Sequence, residues 1–174
     1  MNTVHFSSER DEWGTPQAFF DVLNLWYGPF TLDPCATVDN AKCKRFYTRE
    51  QDGLAQSWAG ERVFMNPPYG REIGAWCEKA HRSVEAEPRA VVVGLLPART
   101  DTAWWHNWVM KADRIVLLRG RLRFGGAPSG APFPSCVVIW ETPWGPWCAG
   151  GWFSKPVLDT IPANVDLANM WRVP

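Results

Sequence analysis

The sequence has few histidines, few tyrosines and no surplus of either charge. Its three histidines stand far apart, at His5, His81 and His106, and its five cysteines (Cys35, Cys43, Cys77, Cys136 and Cys148) contain no CxxC pair. Neither set has the spacing of a zinc site, and an odd cysteine count of this pattern does not read as a disulfide framework. The thiols read as free and mostly buried, where each behaves as a small apolar residue. Eighteen basic residues balance eighteen acidic ones, so any contact with a polyanion has to come from a local patch. No stretch approaches the ~20 apolar residues of a membrane span, and MNTVHFSSERDEW holds no apolar run of the signal-peptide kind. GxGxxG and the P-loop pattern are missing, which removes the positive case for NAD binding or nucleotide hydrolysis. The expectation is a cytoplasmic protein without a metal site or a membrane partner.

What is present is an ordinary globular composition with one excess. Apolar residues make up 46% of 174 and charged residues 21%, which suits a single domain over 1–174. Twelve tryptophans are far above the usual share for this length. TPQAFFDVLNLWYG places Phe19, Phe20, Leu23 and Trp26 at helical spacing, with Thr15 as N-cap, Pro16 at the first helical position and Gly28 past the end. FTLDPC reads as a short strand stopped by Pro34, Arg45 to Tyr47 as a brief strand, and RVFMNPP as the next strand. REIGAWCEKAHRSVEAE has a helical stripe of Ile73, Trp76, Cys77 and Ala80. AVVVGLLP lacks alternation and so predicts a strand buried on both faces. DTAWWHNWVMKA is helical, DRIVLLRG and SCVVIW are strands, and irregular structure is expected from Glu141 onward.

Strands alternating with helices predict an α/β fold with a largely parallel sheet, helices on both faces and an antiparallel hairpin near the C-terminal edge. Ligands of such sheets sit beyond the carboxyl ends of the strands. That rule gathers Asp33, Asn66 and Pro97 into one crevice. The stretch Asn66-Pro67-Pro68-Tyr69 then stands over the sheet edge. Its prolines stiffen the turn, Asn66 offers a side-chain oxygen as acceptor, and Tyr69 adds a flat ring. Two acceptors and a stacking surface suit a planar group that carries an amino function. A plain strand-to-loop turn is the bland alternative.

NPPY after an apolar strand resembles the [DNS]-PP-[YFW] motif of S-adenosylmethionine-dependent amino-methyltransferases. GTPQAFF resembles the segment whose TP pair (Thr15, Pro16) lies near the methionine end of that cofactor. FTLDPCAT resembles the cofactor motif DPxCG, carried here by Asp33, Pro34 and Cys35, with Ala36 in place of the family's glycine. EQDGLAQSW resembles the segment whose acidic residue, Asp52 here, binds the cofactor's adenine. Taken jointly with NAKCKRFYT, LLPARTDTAWWH, GRLRFGG and APFPS, these segments resemble the phage-type DNA N6-adenine-methyltransferase family over residues 12–140. The resemblance implies a Rossmann-like methyltransferase core and does not reach 141–174, where the dominance of Trp, Pro and Gly predicts an extension packed on that core. It also implies that the amide of Asn66 and the carbonyl of Pro67 bind the target nitrogen, and that Tyr69 stacks on a flipped adenine. The implied cofactor is S-adenosyl-L-methionine and the implied partner is DNA containing adenine.

Arg119, Arg121 and Arg123 alternate and share one face if extended, a patch suited to phosphates or to a solvated hairpin. Arg99 lies near the cleft, either on the DNA side or in a structural role, as does Asp101, a candidate helix cap. Trp104, Trp105 and Trp108 bury a helix face or stack on nucleic acid, and the tail tryptophans cover a sheet edge or form a partner surface. No segment reads as a separate recognition domain, which leaves sequence recognition to loops such as 36–50 and 124–134, or to a homo-oligomer. Other readings stay open: an NPPY enzyme acting on cytosine N4, RNA or a protein glutamine, or a non-catalytic nucleic-acid-binding protein of this fold.

Overall fold

TPQAFFDVLNLWYG folds into α1, Gln17–Tyr27, and buries Phe19, Phe20, Val22 and Leu23 on one side. This is a computed structural model that describes residues 13–87, 89–127, 129–142 and 157–162. Thr15 does not cap the helix: Pro16 occupies the flanking position without a side-chain cap, and its carbonyl accepts the Phe20 amide at 3.0 Å. The hydroxyl expected to cap α1 instead meets the side chain of Asn66. Gly28 closes the helix by donating its amide to Asn24 O.

Six further strands and helices follow in the expected places. They are β1 (Leu32–Asp33), β2 (Arg45–Phe46), β3 (Arg62–Met65), α2 (Ile73–Ala86), β4 (Val91–Pro97) and α3 (Ala103–Asn107). After α3 the chain tightens into a 3-10 turn over Val109–Lys111, then forms β5 (Arg114–Arg119) and β6 (Ser135–Glu141). A last strand, β7 (Val157–Pro162), corrects the expectation of irregular structure beyond Glu141. VLDTIP is short and flanked by Pro, Gly and Trp, so its strand character is visible only through its pairing with β5. Trp144, Trp147, Trp152 and Cys148 lie outside the described residues, as does most of 141–174.

The seven strands form one sheet in the order β2-β1-β3-β4-β6-β5-β7. The pairs β2/β1, β1/β3, β3/β4 and β5/β7 are parallel, while β6 runs antiparallel between β4 and β5. Every residue of β4 is buried, as the absence of alternation in AVVVGLLP predicts. Phe64 and Met65 are consecutive in β3 and so point to opposite faces. Phe64 meets Phe20 of α1, with ring centroids 5.1 Å apart. On the other face, the Met65 methyl and the Trp140 ring both come within 3.0 Å of where a Gly94 side chain would start. Trp140 then donates its indole N–H to the Trp108 carbonyl just after α3. Helices therefore cover both faces. Trp105 is buried, and the Trp108 ring lies under the cations of Arg82 and Lys111, at 5.5 and 4.7 Å. No described helix is long and apolar enough to cross a membrane.

Candidate active site

Parallel pairing places the ends of β1, β3 and β4 at one edge of the sheet, with Leu32 opposite Val63 and Met65 opposite Gly94. The chain leaves β1 through Asp33-Pro34-Cys35 and leaves β3 through Asn66-Pro67-Pro68. A cavity of about 530 Å³ opens between these two exits. Thr15, Asp33, Pro34 and Cys35 are among the residues that line it. Asp52, Asn66, Pro67 and Pro68 line it as well. Four segments separated in sequence thus share one concave surface of the size that takes small ligands.

Asn66 donates its amide protons to the Trp13 carbonyl and to Thr15 Oγ1, the latter at 2.9 Å. Its Oδ1 is buried and has no hydrogen-bond partner among the described residues. A buried acceptor left empty is costly, of order 1–3 kcal/mol, and calls for an explanation. The backbone N–H of Asn66 faces the Cys35 sulfur, and burial pushes that thiol well above its usual range, helped by the Asp33 carboxylate.

Asp33 is 4% exposed. Its carboxylate accepts the Lys42 amide at 3.0 Å and the Cys35 amide at 3.4 Å. Burial raises its pKa to about 6, against the opposing pull of those two amides. Backbone bonds from Tyr47 to the Asp33 carbonyl and from Ala36 to the Tyr47 carbonyl clip this loop to the chain beyond β2. Ala36 in the same loop is buried and lines the cavity.

Asp52 adopts a left-handed conformation (φ 49°) and accepts the Leu54 amide at 3.1 Å. Gly53 beside it packs on the Pro34 carbonyl too closely for any side chain. Its own carbonyl accepts the indole N–H of Trp58, which stacks on Trp76 at 6.1 Å. Trp76 shows in the sequence only as part of a buried helical stripe. In the structure it also lines the cavity, and its buried Nε1 has no partner among the described residues. The residues that line the cavity therefore include one unpartnered buried acceptor, one unpartnered buried donor and three carboxylates, Asp33, Asp52 and Glu72.

Tyr69 does not line the cavity. It is 4% exposed, donates its hydroxyl to the Leu95 carbonyl at 3.1 Å, and meets Phe124 and Phe133 edge-on. Burial pushes its hydroxyl pKa well above the usual value. Trp13 joins the same two phenylalanines, and Gly125 donates to the Gly14 carbonyl at 2.8 Å. No sequence pattern linked residues 13, 69, 124 and 133, although each is aromatic.

These contacts anchor the loop that follows β5 to the corner. Arg119, Arg121 and Arg123 are all exposed, while Leu122 and Phe124 between and after them are buried. Arg99, exposed just past β4, also lies outside the cavity lining, as does Pro16. Asp101 does not cap α3; Thr102 flanks that helix and donates its hydroxyl to the Arg99 carbonyl. No group of three or more His, Cys, Asp or Glu among the described residues could hold a metal ion.

A sequence model of the family described as DNA N-6-adenine-methyltransferase (Dam) matches residues 2–160. A DNA N-6-adenine-methyltransferase of Haemophilus phage HP1 (strain HP1c1) is 34% identical over 141 residues, which cover 77% of this chain and 80% of that protein. A protein of the same description from Escherichia phage T1 is 32% identical over 114 residues, 65% of this chain. This chain spans about half of the phage T1 protein, 47% of its length.

Proposed function

The chain belongs to the DNA N-6-adenine-methyltransferase family, and from that premise we propose that it methylates the exocyclic N6 of adenine in DNA at the Asn66 corner, using S-adenosyl-L-methionine. The observation that carries this reading is the empty acceptor, Asn66 Oδ1, on a cavity shared with Asp33 and Asp52. An amino group is the partner such an oxygen lacks.

When bound, S-adenosylmethionine supplies a methyl group activated by its sulfonium. The residues present fit that ligand. Asp33 and Asp52 offer acceptors for hydroxyl, ammonium or amino donors, and the unused Trp76 N–H offers a donor for a ring nitrogen or carboxylate. Pro34 and the Trp76 ring add apolar wall to the same cavity.

Adenine N6 shares its lone pair with the ring and is a poor nucleophile. Hydrogen bonds from that amino group to Asn66 Oδ1 and to the Pro67 carbonyl would draw the nitrogen toward tetrahedral geometry and free the lone pair. Holding the nitrogen in place supplies orientation, and the same acceptors stabilise positive charge growing on it. Asn66 is neutral and takes no proton, so the proton displaced from N6 passes to water. A base within a duplex cannot reach this corner, and flipping it out costs about a few kcal/mol. The exposed Arg119, Arg121 and Arg123, with Arg99, are the groups we assign to the DNA backbone. A DNA substrate also places the protein in the cytoplasm of a bacterial or phage-infected cell.

The test is transfer of label from S-adenosylmethionine to defined oligonucleotides. Label in strands that contain adenine, and none in otherwise matched strands without it, is expected. Label in RNA or protein alone, or none anywhere, overturns the reading.

A further inference from the structure

The amide of Asn66 has two ends of nearly the same shape, and only one can serve an amino substrate. Half a turn about the last side-chain bond exchanges Oδ1, an acceptor, with Nδ2, which carries two donors. The surroundings choose between them. The Trp13 carbonyl only accepts, so the end that faces it is Nδ2. Thr15 Oγ1 takes the second amide proton at 2.9 Å. Both donors are therefore committed inside the protein, and Oδ1 is the end left unpartnered on a residue that lines the cavity.

We propose that Thr15 is a positioning residue for the reaction: its hydroxyl, with the Trp13 carbonyl, locks the Asn66 amide so that oxygen faces the substrate amino group. The proposal rests on the methyl-transfer reading above. Thr15 is free for this task because α1 begins without a side-chain cap. Its β-branch restricts χ1 and so holds the hydroxyl in one direction. The Trp13 carbonyl selects the amide end, and without the Thr15 hydroxyl one amide proton is left without a partner and the amide plane is held at one point instead of two. An amide free to rock about that single bond no longer holds its oxygen in line with the substrate amino group.

Thr15 also lines the cavity, so a direct contact with the cofactor is the rival role. Thr15→Val and Thr15→Ser in the full chain separate the two. Removal of one buried hydrogen bond should lower kcat on an adenine oligonucleotide about tenfold in Thr15→Val. Its S-adenosylmethionine Kd should stay within about twofold of the parent, and Thr15→Ser should restore most of the rate. A Kd that rises as much as kcat falls, or a Thr15→Val rate equal to the parent, overturns the proposal. The unsubstituted protein provides a check that needs no variant. In a nitrogen-15 spectrum, the Asn66 side-chain NH2 pair, identified by its disappearance in Asn66→Asp, should exchange slowly with water. Exchange as fast as in exposed amides would refute the lock. Slow exchange in a protein that transfers no methyl group would uphold the lock and refute the reaction instead.

Discussion

A Cβ on Gly53 would lie 1.9 Å from the carbonyl oxygen of Pro34. This approach joins the loop after β1, which carries Asp33, to the turn that carries Asp52. Asp33 and Asp52 are therefore spaced by a contact that only glycine allows. Gly53→Ala must push backbone against backbone, an overpacking that costs about 1–3 kcal/mol. A lower unfolding temperature and at least about tenfold weaker S-adenosylmethionine binding are expected. Calorimetry that finds parental affinity would show that the spacing of Asp33 and Asp52 does not matter to the ligand.

Asp33 makes stability depend on pH in a direction opposite to that of a surface carboxylate. Its folded pKa is raised, from 3.8 to about 6, by burial. The folded state holds the proton more tightly than the unfolded state. Stability from this group is therefore present below pH 3.8 and is lost as pH rises through about 6. Each unit between the two values corresponds to about 1.4 kcal/mol. The stability of the parent relative to Asp33→Asn should fall as pH rises across that window, measured by urea unfolding. A difference independent of pH would mean that Asp33 is not buried as described.

Tyr69 is packed on both edges and bonded to the Leu95 carbonyl, so removing its ring affects more than a substrate contact. Tyr69→Ala should cost about 3–5 kcal/mol of stability and abolish transfer. Tyr69→Phe keeps the ring and should cost only about 1 kcal/mol, with methylation close to the parent rate. If the base stacks on this ring, the contacts with Phe124 and Phe133 must open first. In that case Phe133→Ala would change the KM for DNA and leave the Kd of the cofactor alone. Equal effects on both constants would assign Tyr69 to support of the corner only.

Arg119, Arg121 and Arg123 project from one end of β5 and the loop beyond it. Reversing all three to glutamate should weaken DNA binding and flatten its salt dependence. The slope of log K against log salt should fall by about 0.9 for every phosphate that is no longer neutralised. An unchanged slope in fluorescence anisotropy titrations removes these residues from the interface.

Local pattern was enough for much of this molecule. The apolar stripe of α1, the unbroken apolar run of β4 and the NPPY corner were legible because period and punctuation are properties of neighbouring residues. The grouping of Asp33 and Asn66 followed from a topological rule about strand ends, Asp52 came through the family resemblance, and Pro97, which the rule also gathered there, does not line the cavity. What could not be read were contacts made across the fold. Thr15 reads as a helix cap until Asn66, 51 positions away, claims its hydroxyl. Gly53 reads as a turn glycine until Pro34 is set against it. Trp76 reads as core because periodicity reports a buried ring and is silent about where its N–H points. Tyr69 reads as an open ring because nothing local announces Phe124 and Phe133. VLDTIP reads as loop because its strand partner lies 43 positions earlier, Val157 opposite Arg114.

The most direct measurement is mass spectrometry of the nucleosides released from an adenine-containing duplex after incubation with S-adenosylmethionine. The parent protein should yield N6-methyl-2′-deoxyadenosine, and Asn66→Ala should yield at least about 100-fold less while still binding the cofactor. N4-methylcytosine in its place, or undiminished product from Asn66→Ala, would contradict the assignment of this corner.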